Sequence, residues 1–182
     1  GFDINKQIID YVRGKMQPST QIKYEICDCD VADFTEFNQA AINVCNEQGI
    51  EKVDFLIAHP PYLDVVKFTQ DKRDLSQISD IDTFMSKFVD AMRNGLSFLA
   101  KDKYFALVAG DIYKRSEVVP LAFYMMDAVK KNFNVKMKGV IIKNIEGNKG
   151  KLGSQDIWKY RALKSDYFLF KHEYIFVFKK MD

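Results

Sequence analysis

Residues 53–58, Val-Asp-Phe-Leu-Ile-Ala, run directly into His59-Pro60-Pro61-Tyr62. Four consecutive apolar positions, Phe55 to Ala58, read as a buried strand of a parallel sheet. The two prolines stop it. Each fixes φ and removes a backbone N–H, so the turn is stiff and its carbonyls are free to accept hydrogen bonds. A polar acceptor, rigid carbonyls and a flat ring at a strand end suit a planar base with an amino group. The competing reading is an ordinary Pro-Pro loop after a strand.

Other polar groups fall at comparable places. Asp3 closes a short strand end in Gly1-Phe2-Asp3. Asp28 ends a strand over Ile22 to Asp28, and Asp30 lies just beyond it. Asp111 follows a strand over Tyr104 to Ala109. Helical periodicity separates these strands. It predicts helices over Asn5 to Met16, from an Asp33 cap to about Glu47, over Asp82 to Ala100, and over Val118 to Phe133. Val135 to Lys143 and Tyr174 to Lys179 read as the last strands. Such alternation predicts an α/β fold with a mostly parallel sheet, and ligands bind such sheets outside the carboxyl ends of their strands. Asp3, Asp28, Asp30, His59 and Asp111 then form one rim.

The 182 residues predict a single domain able to bury a sizeable core. A hydrophobic fraction of 47% excludes a disordered chain. Net charge is +2, so any basic footprint is local. One such footprint is the stretch 144–166, which lacks a regular period. It interleaves Lys149, Lys151, Lys159, Arg161 and Lys164 with Trp158 and Tyr160. Basic residues among aromatics suit phosphates and bases, and a solvated loop is the alternative. Lys67, Lys72 and Arg73 offer a second basic lip. Three cysteines, an odd number without disulfide spacing, predict a reducing cytoplasm. Cys27-Asp28-Cys29 lacks the further ligands a zinc site needs. No apolar run approaches the length of about 20 residues that spans a bilayer. The abrupt opening on Gly1-Phe2-Asp3-Ile4-Asn5, without Met, predicts a piece of a longer protein.

Gly1-Phe2-Asp3 before a helix, a second acidic strand end, and then a Pro-Pro-aromatic loop make an order that resembles the amino-methylating DNA methyltransferases. These enzymes use S-adenosylmethionine to methylate adenine N6 or cytosine N4. The resemblance continues through Leu107-Val-Ala-Gly-Asp-Ile-Tyr113 to His172-Glu-Tyr-Ile-Phe-Val-Phe-Lys179 and spans nearly the whole chain. It implies a Rossmann-like class I methyltransferase sheet with helices on both faces, and site-specific DNA methylation of the restriction-modification kind. It also implies roles. Asp3 takes the place of the acid that binds the cofactor ribose. Asp30, with Asp28 as rival, takes that of the acid near the cofactor adenine. His59 and the Pro60 carbonyl accept the two protons of the target amine, Pro61 stiffens the loop, and Tyr62 stacks on a base flipped out of the duplex. A neutral imidazole can accept and an imidazolium cannot.

Two departures stand out. The family has Asp, Asn or Ser where this chain has His59. The family's glycine-rich cofactor loop and the first strand before it are absent. That strand belongs beside the one ending at Asp3, so its absence predicts a gap in the core, with the cofactor loop in a preceding segment or another chain, or cut away. An RNA or other amino-group methyltransferase shares the same loop chemistry. A non-catalytic nucleic-acid-binding partner subunit is the alternative from another class. A dinucleotide oxidoreductase lacks its fingerprint here, and the carboxylates are too dispersed for a nuclease's metal.

Overall fold

The structure, a computed structural model, describes residues 1–16, 23–145 and 170–182. Helices begin where the sequence supplies a cap. Asn5 accepts from the N–H groups of Gln7 and Ile8 to start α1, Lys6–Lys15. Asp33 accepts from Glu36 N–H to start α2, Phe34–Gln48, which ends at Gly49 with φ 69°. That left-handed turn returns Ile50 N–H to Cys45 O. Asp80 accepts from Thr83 to start α3, Ile81–Phe98. The last described helix, α4, spans Leu121–Asn132 and borrows its acceptor from elsewhere.

Strands β1, Phe2–Asp3, and β2, Cys27–Asp28, pair in parallel. Strands β3, Val53–Ala58, and β4, Leu99–Ala109, also pair in parallel. Near the C-terminus, β7, Val135–Asn144, and β8, His172–Lys180, complete a four-stranded sheet of order β3-β4-β8-β7. Strand β8 runs antiparallel to both its neighbours. The expected mostly parallel sheet is therefore mixed.

The core lies between this sheet and α3 with α4. Phe84, Phe88, Met92 and Leu96 of α3 meet Phe105 and Leu107 of β4, Phe176 and Phe178 of β8, and Met125 and Val129 of α4. Phe105 and Phe178 stack with ring centroids 5.0 Å apart. Fully burying side chains of this size stabilises by about 1.5–3 kcal/mol each. A smaller cluster joins Cys29, Phe37 and Ala41 to Phe2 and Phe98.

The opposite face of the sheet is uncovered at several places. Phe55 is 51% exposed and Ile57 67%. Tyr104, the register partner of Phe55, is exposed too, as is Ile141 on β7. The helices expected on both faces are, for this sheet and among the described residues, found on one. Among the described residues no ladder joins β1–β2 to β3–β4, so there β1 and β3 each have one strand partner.

Three elements shift most from expectation. Strand β4 starts at Leu99, directly after α3, where helix was expected to continue to Ala100. The described part of the Ile22–Asp28 strand shrinks to Cys27–Asp28. Helix α4 starts three residues late because β5, Ile112–Lys114, and β6, Glu117–Val119, form a hairpin. Its turn residues Arg115 and Ser116 have φ of 52° and 63°. That geometry normally announces itself through Asn or Gly, and neither is present.

Candidate active site

Strand β3 delivers His59-Pro60-Pro61-Tyr62 at its carboxyl end, and the next residue anchors the loop. Leu63 is fully buried and has φ 56°. For a leucine this conformation costs about 1–3 kcal/mol, which burial of its side chain offsets by a similar amount. The chain turns there, and the Tyr62 ring is laid over the end of β4. A Cβ at Gly110 would come within 2.8 Å of Tyr62 Cε2, so glycine makes this approach possible.

The Tyr62 hydroxyl donates to Glu173 Oε1 at 3.0 Å, and His59 Nε2 lies 3.2 Å from the same hydroxyl. Lys143 Nζ donates to Glu173 Oε2 at 2.9 Å. Burial pushes the Tyr62 phenol up, and its bond to ionised Glu173 adds to that. Burial alone would raise Glu173. The Lys143 ammonium and the Tyr62 hydroxyl outweigh it and hold the carboxyl below its ordinary range. Sequence reasoning missed Gly110, Lys143 and Glu173 as parts of this site. Glu173 becomes a neighbour because β8 is antiparallel: Ala109 pairs with Tyr174, so the start of β8 sits beside the ends of β3 and β4.

The stretch after Tyr62, expected to be irregular, is tied internally. Buried Asp74 accepts from Thr69 Oγ1 and Ser76 N–H, both at 2.8 Å, and Ser76 Oγ accepts from Phe68 N–H. Asn5 Nδ2 donates to Phe68 O at 3.3 Å, which brings the β1–α1 turn against this loop. The rim acids approach from that side. Asp3 Oδ1 accepts from Asn5 N–H at 2.8 Å. Asp28 pairs with Lys6 at 3.3 Å. Asp30 Oδ1 accepts from Ala32 N–H at 2.9 Å, and its own N–H bonds Glu36. Asp111 serves α4: it accepts from Ala122 N–H at 3.2 Å, at a helix start that has no side-chain cap of its own.

Lys67 and Lys72 are exposed. Arg73 is engaged by two acids, Asp71 at 2.7 Å and Glu36 at 3.1 Å, and holds Asp71 down at about 2. Lys149, Lys151, Trp158, Lys159 and Arg161 lie outside the described residues. Burial raises the Cys27 thiol and pushes Cys29 up to about 12, so both are protonated near neutrality. Among the described residues no group of three His, Cys, Asp or Glu side chains could hold a metal ion, and no helix is long and apolar enough to cross a membrane.

No family model and no curated protein matches the sequence. Several solved structures align with part of the chain. One is TTHA0409 of Thermus thermophilus, named as a candidate DNA modification methylase. It aligns at TM-score 0.49 and 18% identity over 72% of this chain and 46% of its own. The same protein complexed with S-adenosyl-L-methionine aligns at 0.48 and 17%, over 72% and 49%. The cytosine-N4-specific PvuII DNA methyltransferase aligns at 0.48 and 16%, over 72% and 43%. The chain thus spans about half the length of these proteins.

Proposed function

We propose that this chain carries the target-base pocket of an S-adenosylmethionine-dependent DNA methyltransferase that modifies an exocyclic amine, adenine N6 or cytosine N4. The observation that carries this reading is the placing of His59-Pro60-Pro61-Tyr62. The loop leaves the carboxyl end of a parallel strand, its ring is seated on Gly110, and the segment that follows it meets, at Phe68, the β1–α1 turn next to Asp3. In this reading Tyr62 and the prolines hold the flipped base. His59 and the Pro60 carbonyl orient its amine, with its lone pair aimed at the methyl group. Holding reactants in such geometry supplies much of the rate of a transfer reaction.

The donor set fits the ribose and adenine end of the cofactor. Asp3 has its Oδ2 left for ribose hydroxyls, and Asp28 or Asp30 would meet the adenine amine. When bound, S-adenosylmethionine supplies the electrophilic methyl group. We assign its glycine-rich loop to a preceding segment or a partner chain. Among the described residues, the edges of β1 and β3 without a further strand and the exposed Phe55 and Ile57 support this assignment. The same open edges favour a second reading, in which the chain is a non-catalytic nucleic-acid-binding subunit completed by a catalytic partner.

The test is to incubate the protein in its full natural context with labelled S-adenosylmethionine and genomic DNA, then analyse nucleosides. N6-methyladenine or N4-methylcytosine supports the proposal. Label in RNA alone overturns the DNA assignment. Nucleic-acid binding without any transfer favours the non-catalytic subunit.

A further inference from the structure

The hydrogen bonds around Tyr62 have a direction. A phenol carries one proton, and its oxygen accepts others. An ionised carboxylate only accepts. Lys143 keeps Glu173 ionised from the side away from Tyr62, so the phenolic proton goes to Glu173 Oε1. The Tyr62 oxygen is then left as an acceptor toward His59 Nε2, 3.2 Å away. In a neutral imidazole one nitrogen carries the proton and the other is bare. A proton on Nε2 leaves Nδ1 bare.

We infer that Glu173 is a positioning residue: acting through Tyr62, it holds neutral His59 in the Nε2–H tautomer and presents Nδ1 as the acceptor for the target amine. The tautomer follows from geometry alone, while its use on an amine rests on the proposed function. The groups that set it are Tyr62 on the same loop, Glu173 at the start of β8 and Lys143 on β7 behind it. Without an acceptor at position 173, the phenol can donate to His59 Nε2, and the proton on the ring moves to Nδ1. The amine then meets a donor where it needs an acceptor. Aspartate, asparagine or serine at the loop's first position would offer an oxygen without this choice. A histidine needs a partner to make it, which connects the unusual His59 to Glu173.

The experiment is nitrogen-15 NMR of histidine-labelled protein at about pH 8, above the unperturbed imidazole range. The chain has two histidines, so His172→Gln assigns the signals. The wild type is expected to show His59 as the Nε2–H form. Glu173→Leu is expected to shift it toward Nδ1–H, and Glu173→Gln, whose amide oxygen still accepts, to retain it. Methyl transfer by the protein in its full natural context should show kcat lowered about tenfold or more in Glu173→Leu and largely restored in Glu173→Gln, with KM for the cofactor unchanged. An Nδ1–H form in the wild type, or an unchanged tautomer in folded Glu173→Leu, overturns the inference. The tautomer pattern without any methyl transfer overturns the proposed function and leaves the positioning role standing.

Discussion

Tyr62 donates its hydroxyl proton to Glu173 across 3.0 Å, although 111 residues separate the two in sequence. The bond joins the loop after β3 to the start of the last strand, so the candidate pocket is closed by β8. Removing either partner should therefore be felt in both stability and function.

Tyr62→Phe keeps the ring and deletes the bond. It is expected to lower unfolding free energy by about 1.5–3 kcal/mol at neutral pH, as a hydrogen bond to a charged group does. Urea denaturation measures it. The sign with pH follows from Glu173, whose pKa in the fold lies below its ordinary value. Its contribution is complete above the unfolded value and is lost as pH falls through the lowered one. The gap between wild type and Tyr62→Phe should narrow in acid; a gap that widens there contradicts the assignment.

Gly110→Ala places a methyl 2.8 Å from the Tyr62 ring, which His59, Glu173 and Leu63 hold in place. The expected cost is about 1–3 kcal/mol, with displacement of the ring. Denaturation reads the first. Loss of base binding with cofactor binding retained reads the second.

Asp111→Ala removes the acceptor for Ala122 N–H and should cost about 1 kcal/mol in thermal or urea unfolding. Asp111→Asn keeps an acceptor oxygen. Burial raises the Asp111 pKa, so folding disfavours its charge. The stability from this group is present below the unfolded pKa and declines as pH rises through the folded one. The asparagine variant should thus match or exceed wild type at neutral pH. A loss equal to that of alanine would assign Asp111 another role.

His59→Ala and Tyr62→Ala should abolish turnover while leaving cofactor binding largely intact, by titration calorimetry. Loss of cofactor binding in both variants would make the loop structural.

Ile57→Lys puts a charge on the exposed face of β3. In the chain alone it should change stability by no more than about 0.5 kcal/mol, as exposed substitutions do. In the protein in its full natural context, with the proposed further strand in place, it should weaken assembly and activity together. A large stability loss in the chain alone would show that the face is already covered.

Sequence pattern alone carries much of this fold. The spacing of Phe84, Phe88 and Met92, the caps Asn5 and Asp33, and the apolar run ending at Ala58 are local signals, and the elements form there. The β5–β6 hairpin was illegible because Arg115 and Ser116 adopt left-handed geometry without the residues that advertise it. The mixed sheet was illegible because periodicity reports which face of a strand is apolar and says nothing of its direction.

The sequence by itself determined the chemistry available at His59-Pro60-Pro61-Tyr62, since proline stiffness, an imidazole acceptor and an aromatic face are properties of residue type. Only the tertiary structure decided which groups act on that loop. Glu173 and Lys143 reach it because β8 folds back antiparallel onto β4, and Gly110 admits Tyr62 because β4 ends beside β3. The directions of hydrogen bonds around His59 depend on those placements, and no spacing along the chain encodes them.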